Sequence, residues 1–263
     1  MTKQELIQKT IANKSTNPNG LAYINLDENN NYRGWVADFG FKRKGAMQNI
    51  CLDLNNEFDL FLLFLMASVW SRTGAFENAA FFIGSLVGIN KIDDNLVDVA
   101  TKVREHFDIN EFEGRLVDEC RKKVSVRADV LDSLKILIRN WKLIYNKLYA
   151  EKTSDQDWYE FAEFLHGIKG LGAMRKNGDG NAMLIKIPLV LRELRCQKIF
   201  DNIPGKYCCV PDARVKKALG DINGKGVNTG DLCAVLRASE RIYQDYGDLY
   251  DIPLFAYQDV LNK

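Results

Sequence analysis

The most apolar stretch of the 263-residue chain, 58–70 (FDLFLLFLMASVW), is hydrophobic nearly all round at helical length. A helix without a polar face belongs inside a core, so this pattern predicts a buried central helix. Thr73-Gly74 breaks it, and 76–87 begins the next helix. Apolar positions recur at helical spacing over about 93–107, 110–123 and 128–150. Ser154-Asp155-Gln156-Asp157 is a helix-start signal ahead of Trp158, Phe161 and Phe164. Asn228-Thr229-Gly230-Asp231 likewise starts a last long helix, from 232 to about 246. The apolar run at 182–194 predicts another, bent at Pro188. Residues 2–12 read as a short helix. By contrast, 21–26 and 32–41 alternate apolar and polar residues around Asp27-Glu-Asn-Asn-Asn31, the pattern of a β-hairpin. The expectation is a mainly α protein with a small N-terminal β-hairpin. It would comprise an extension over 1–56 and a helical domain over 57–263, the latter in two interleaved lobes, with the N- and C-terminal parts packing together.

Composition changes this picture little. Hydrophobic residues make up 46% and charged residues 27%, ordinary for a globular protein. Net charge is +1, from 36 basic and 35 acidic residues, so a nucleic-acid partner would have to be met by a local basic face. The 58–70 run contains Asp59 and is too short to span a bilayer, and the polar start MTKQELIQKT lacks a signal-peptide core. A monomer in the cytoplasm, or in the nucleus of a eukaryote, is expected, without a membrane partner. The six cysteines form no CxxC pair, and His106 and His166 are the two histidines. That set predicts reduced thiols and no metal or other cofactor.

One succession of motifs points to chemistry. Ile168-Lys-Gly-Leu-Gly172 fits a hydrophobic-x-Gly-hydrophobic-Gly hairpin, and Gly178 and Gly180 follow. The apolar helix from 182 comes next, and then a loop presenting Pro211-Asp212-Ala213-Arg214-Val215. This order resembles the helix-hairpin-helix (HhH-GPD) DNA glycosylase superfamily. Residues 64–79 resemble that superfamily's helix and polar turn beside the flipped base. The longer hairpin, Ile185-Lys-Ile-Pro188 and Val210-Pro-Asp-Ala-Arg-Val215 partly resemble archaeal 8-oxoguanine DNA glycosylases. The resemblance covers about 57–245. It implies a two-lobed glycosylase fold acting on double-stranded DNA that carries a damaged or modified base. The base is flipped out and its glycosidic bond is cut. Gly170, Gly172 and Gly180, with Lys169, Arg175, Lys176 and Arg214, would hold the DNA backbone. Trp70, Ser71, Arg72 and Asn181 would face the base pocket or the gap left in the duplex. Asp212 would stabilise the positive charge that develops on the sugar, and Lys186 would be the candidate amine nucleophile. Only Cys233 follows Asp212, so the four-cysteine iron–sulfur cluster of some relatives is not expected.

The residues leave several alternatives open. Asp212 also reads as a helix N-cap, a role compatible with catalysis. Asn181 stands where the superfamily's lysine falls, and Lys186 lies one turn further on, 26 residues before Asp212. A lysine in that apolar run either snorkels to water or is desolvated with a lowered pKa. Without a lysine nucleophile, Asp212 would activate water. Trp70 is either core or a stacking platform for a base, and Arg72 either a capping residue or a DNA contact. His166 is structural or pairs with a phosphate. Lys216 and Lys217 extend the basic face, whereas Arg121-Lys-Lys123 reads as a solvated helix end. Two rival functions stand beside repair. One is a phage-related modified-base enzyme, which excises a hypermodified base or transfers a group to it. The other is a non-catalytic DNA-binding module.

Overall fold

A computed structural model describes residues 2–12, 25–34, 39–43, 46–50, 52–70, 103–110, 113–114, 117–118, 128–168, 171, 183–223 and 232–257. Over these the protein is mainly α-helical. The chain divides into two compact units, one of residues 1–40 with 174–263 and the other of residues 41–173. The first joins both ends of the chain. The expected boundary at residue 56 falls inside the second.

In the 41–173 unit, β1 (Phe39–Arg43, whose first two residues precede the division) pairs with β2 (Ala46–Ile50). Helix α2 (Glu57–Trp70) is the buried helix that its all-apolar pattern predicts. Phe58 and every residue from 60 to 67 are shielded from solvent. Each such Leu or Phe contributes roughly 1.5–3 kcal/mol of transfer free energy. Asp59 is buried among them, with Oδ2 held by Arg104 and by the Asp53 N–H. Helix α3 (Ala128–Tyr149) packs on α2 through Trp141. The Trp141 indole meets Phe61 and Phe64 edge-on at 5.2 and 5.5 Å, and its Nε1 donates to Glu57 Oε1 at 2.9 Å. Helix α4 (Asp155–Gly167) starts where the sequence signal places it. Ser154 and Asp157 exchange the reciprocal bonds of a capping box. The α3–α4 link is closed by Lys152, whose Nζ donates to the carbonyls of Lys147, Leu148 and Ala150 at the end of α3. The same ammonium sits over the rings of Trp158 and Phe161.

In the other unit, helix α1 (Lys3–Ala12) buries Leu6 and Thr10. Of the hairpin expected from 21–26 and 32–41, the described residues show one isolated antiparallel bridge, Leu26–Tyr32, closing a turn in which Asp27 Oδ1 accepts the N–H groups of Asn29 and Asn31; the strands that pair are instead 39–43 and 46–50. Helix α5 (Met183–Cys196) carries Pro188 inside it, where the missing N–H leaves one helical bond unmade. A 3₁₀ turn at Gly205–Tyr207 follows and packs against both α5 and helix α7 (Leu232–Tyr246). Helix α6 (Ala213–Asn223) lies between them in sequence and packs on the short helix α8 (Ile252–Phe255). Residues 213–215 of the expected loop are therefore the first turn of α6. The apolar positions Val215 and Ala218 bury one face of that helix, and Lys217 stays in solvent. The expected helices at 76–87, and most of those at 93–107 and 110–123, lie outside the described residues.

Candidate functional site

Asp212 is the best-defined member of the candidate site. The chain reaches it through a three-residue turn around buried Pro211, in which the Asp212 N–H donates to the Val210 carbonyl at 2.8 Å. Asp212 then caps α6: its Oδ1 accepts the Val215 N–H at 2.9 Å, and its carbonyl accepts the Lys216 N–H at 2.9 Å. The capping alternative is thus realised. Burial raises the Asp212 pKa above the ordinary carboxylate value. The N–H groups of Val215 and Arg214 pull it back, as do the charges of Arg214 and Arg192. Arg214 is exposed, with its guanidinium 4.9 Å from the centre of the Phe255 ring.

Lys186 lies on α5 and is 1% exposed, so it does not snorkel. Its surroundings are those of an apolar helix: Ile187, Leu189, Val190, Leu191 and Leu194 are buried on the same element. Two further charged residues of α5 are equally hidden. Glu193 is fully buried, and Arg192 is 4% exposed. Arg192 pairs with Asp251, itself 2% exposed, at 2.9 Å. The Arg192 guanidinium also lies over the Tyr32 ring at 5.0 Å. Burial raises the Asp251 pKa, while Arg192 and the Val210 N–H oppose that shift. None of Tyr32, Arg192, Glu193 and Asp251 stands out in the motif reading. The one signal for them is the presence of Arg and Glu in the otherwise apolar run of α5, which demands buried partners.

Arg195, on the next turn, organises a second cluster. It donates to the Ile203 carbonyl, the Tyr243 hydroxyl and Asp248 Oδ1, and it lies over the Tyr243 ring at 5.3 Å. Gly205 approaches that ring so closely that a Cβ built there would lie 2.1 Å from Tyr243 Cε2. Cys208 and Cys209 are buried nearby in sequence, and burial pushes both thiols well above their usual range. They are core residues, as expected of reduced thiols.

Lys169, Gly170, Gly172, Arg175, Lys176, Gly180, Asn181, Ser71 and Arg72 lie outside the described residues. Trp70 ends α2, and its ring is likewise not described. Of the hairpin, Ile168 and Leu171 are buried and joined by a bond from the Leu171 N–H to the Ile168 carbonyl. The His166 Nδ1 is buried without a hydrogen-bond partner. Among the described residues, no group of three or more His, Cys, Asp or Glu could hold a metal ion, and no helix is long and apolar enough to cross a membrane. No family model matches the chain, and neither the curated proteins nor the solved structures contain a match.

Proposed function

We propose that this protein is a DNA N-glycosylase of helix-hairpin-helix architecture. It flips a damaged or modified base from duplex DNA and cuts the bond between base and sugar, with Asp212 as the assisting carboxylate. The observation that carries this reading is the setting of Asp212. The residue follows a proline turn, caps a helix through its carboxylate, and feels two arginines, Arg192 and Arg214. In the reaction, the base leaves with the electrons of its bond to C1′, and positive charge grows on the sugar. A carboxylate held beside C1′ stabilises that charge and takes a proton from the water that attacks C1′. The products are the free base and an abasic strand.

Asp212→Asn tests the assignment, because Asn still caps a helix but carries no charge. In single-turnover reactions on base-modified duplexes, the variant should release no base while DNA affinity stays within a few-fold of wild type. Undiminished release would remove Asp212 from the mechanism. Water as nucleophile predicts no covalent adduct under borohydride. Trapping of wild type but not of Lys186→Gln would assign the attack to Lys186 and an imine instead. A changed base mass without release would identify a base-modifying enzyme, and binding without chemistry a DNA-binding module.

A further inference from the structure

The buried pair Arg192–Asp251 is joined to Asp212 by a continuous set of bonds. Asp251 Oδ1 accepts from Arg192 Nη1 at 2.9 Å and from the Val210 N–H at 2.8 Å. The Val210 carbonyl accepts the Asp212 N–H at 2.8 Å, and Asp212 Oδ1 accepts the Val215 N–H. A carboxylate brought from 39 positions further along the chain thus anchors the turn that presents Asp212.

Three features of this anchor exceed what support of the fold requires. A buried ion pair is a poor stabiliser, since two apolar side chains of similar volume do as well. Arg192 Nε is buried without a hydrogen-bond partner, an unfavourable state for an N–H. Asp251 follows Tyr250, whose backbone at φ 52°, ψ −131° is strained for any residue with a side chain. All three unfavourable features fall on the elements that hold the Asp212 turn.

We propose that Arg192 and Asp251 are positioning residues for Asp212, holding in place the turn that presents its carboxylate. The inference rests on the reading that Asp212 faces the sugar. From the packed elements, Asp212 is influenced by Arg192 on α5 and by Arg214 on its own helix, and it interacts with Asp251 ahead of α8. Arg192 is influenced in turn by Asp251, Tyr32, Glu193 and Cys196. Loss of the cation should make Asp212 hold its proton more tightly, and loss of the Asp251 charge should make it let go more easily.

The test is a titration of the full chain, carbon-13 labelled at its aspartate carboxyls and followed by NMR. The Asp212 signal is identified by its absence from Asp212→Asn. Arg192→Met should move the Asp212 midpoint up and Asp251→Asn should move it down. Shifts of the same sign, or none, overturn the proposal. Should Arg192→Met not fold, Arg192→Met combined with Asp251→Leu replaces the pair by an apolar one that cores tolerate. That double variant should melt within a few degrees of wild type yet release base at least about tenfold more slowly. Release at the wild-type rate would make the pair merely structural and sink the idea. If wild type releases no base from any substrate, the glycosylase reading falls, while the opposed midpoints still decide whether the pair controls Asp212.

Discussion

Among the described glycines, Gly205 would bring an added Cβ nearest to a side chain, which makes Gly205→Ala a sharp probe of packing. The added Cβ would stand 2.1, 2.2 and 2.4 Å from three carbons of the Tyr243 ring. Carbon atoms rest at roughly 3.5–4.0 Å, so the ring would have to retreat by roughly 1.5 Å. It is not free to do so. Its hydroxyl bonds to Arg195 Nη2 at 3.0 Å and to Asp248 Oδ1 at 3.1 Å, and Arg195 also lies over its face. Arg195 in turn holds the Ile203 carbonyl, two residues before Gly205. Overpacking of this kind costs about 1–3 kcal/mol, and a weakened bond to a charged group about 1.5 kcal/mol more. The total, about 2.5–4.5 kcal/mol, corresponds to a fall in melting temperature of roughly 5–8 °C for a chain of this size. Gly220→Ala is the control. Gly220 lies within α6, and a Cβ there meets nothing within 4 Å. Ala should stabilise the helix by about 0.5–1 kcal/mol. Differential scanning calorimetry on both variants checks the pair of signs. A Gly205→Ala protein that melts within about 1 °C of wild type would refute the packing of the 3₁₀ turn against α7.

Two further outcomes follow from the caps and the half-buried carboxylate. Burial raises the Asp212 pKa, so the folded state binds its proton more tightly than the unfolded chain. Its contribution to stability therefore falls as pH rises from the ordinary value of 3.8 through the raised one. Asp212→Asn removes that dependence, so melting curves from pH 3 to 7 should show the variant gaining on wild type across this window and level beyond it; a widening deficit would contradict the sign. Ser154→Ala removes the acceptor for the Asp157 N–H and should lower stability by about 0.5–2 kcal/mol, read from urea denaturation. An unchanged urea midpoint would show that the Ser154 side chain contributes nothing to the start of α4.

What could be read in the sequence is what is encoded locally. Helix α2 follows from an unbroken apolar run, and α4 from a serine three residues ahead of an aspartate. The Leu26–Tyr32 turn follows from alternation around an Asp/Asn cluster. The capping alternative for Asp212 was legible for the same reason, because an aspartate is a local helix-start signal, whereas its assignment to a site rests on resemblance. Helix α6 was missed: its short first turn, Ala213-Arg214-Val215, lies inside a motif that reads as loop. The rest is set by pairings that no window contains. Gly205 in Pro204-Gly205-Lys206 looks like an ordinary turn glycine; its need for a missing side chain comes from a tyrosine on another helix. Arg192 and Asp251 lie 59 residues apart. Yet α5 holds a partial clue. Arg192 and Glu193 interrupt Leu189-Val190-Leu191 and Leu194, and a charge placed in the core cannot stay unpaired. The run therefore announces that a buried carboxylate awaits Arg192, without naming which of 35 acidic residues it is. The fold supplies Asp251, which directly follows Tyr250 and its left-handed φ of 52°. Because the same carboxylate also holds the Val210 N–H, the choice of partner for one arginine fixes the turn on which Asp212 stands.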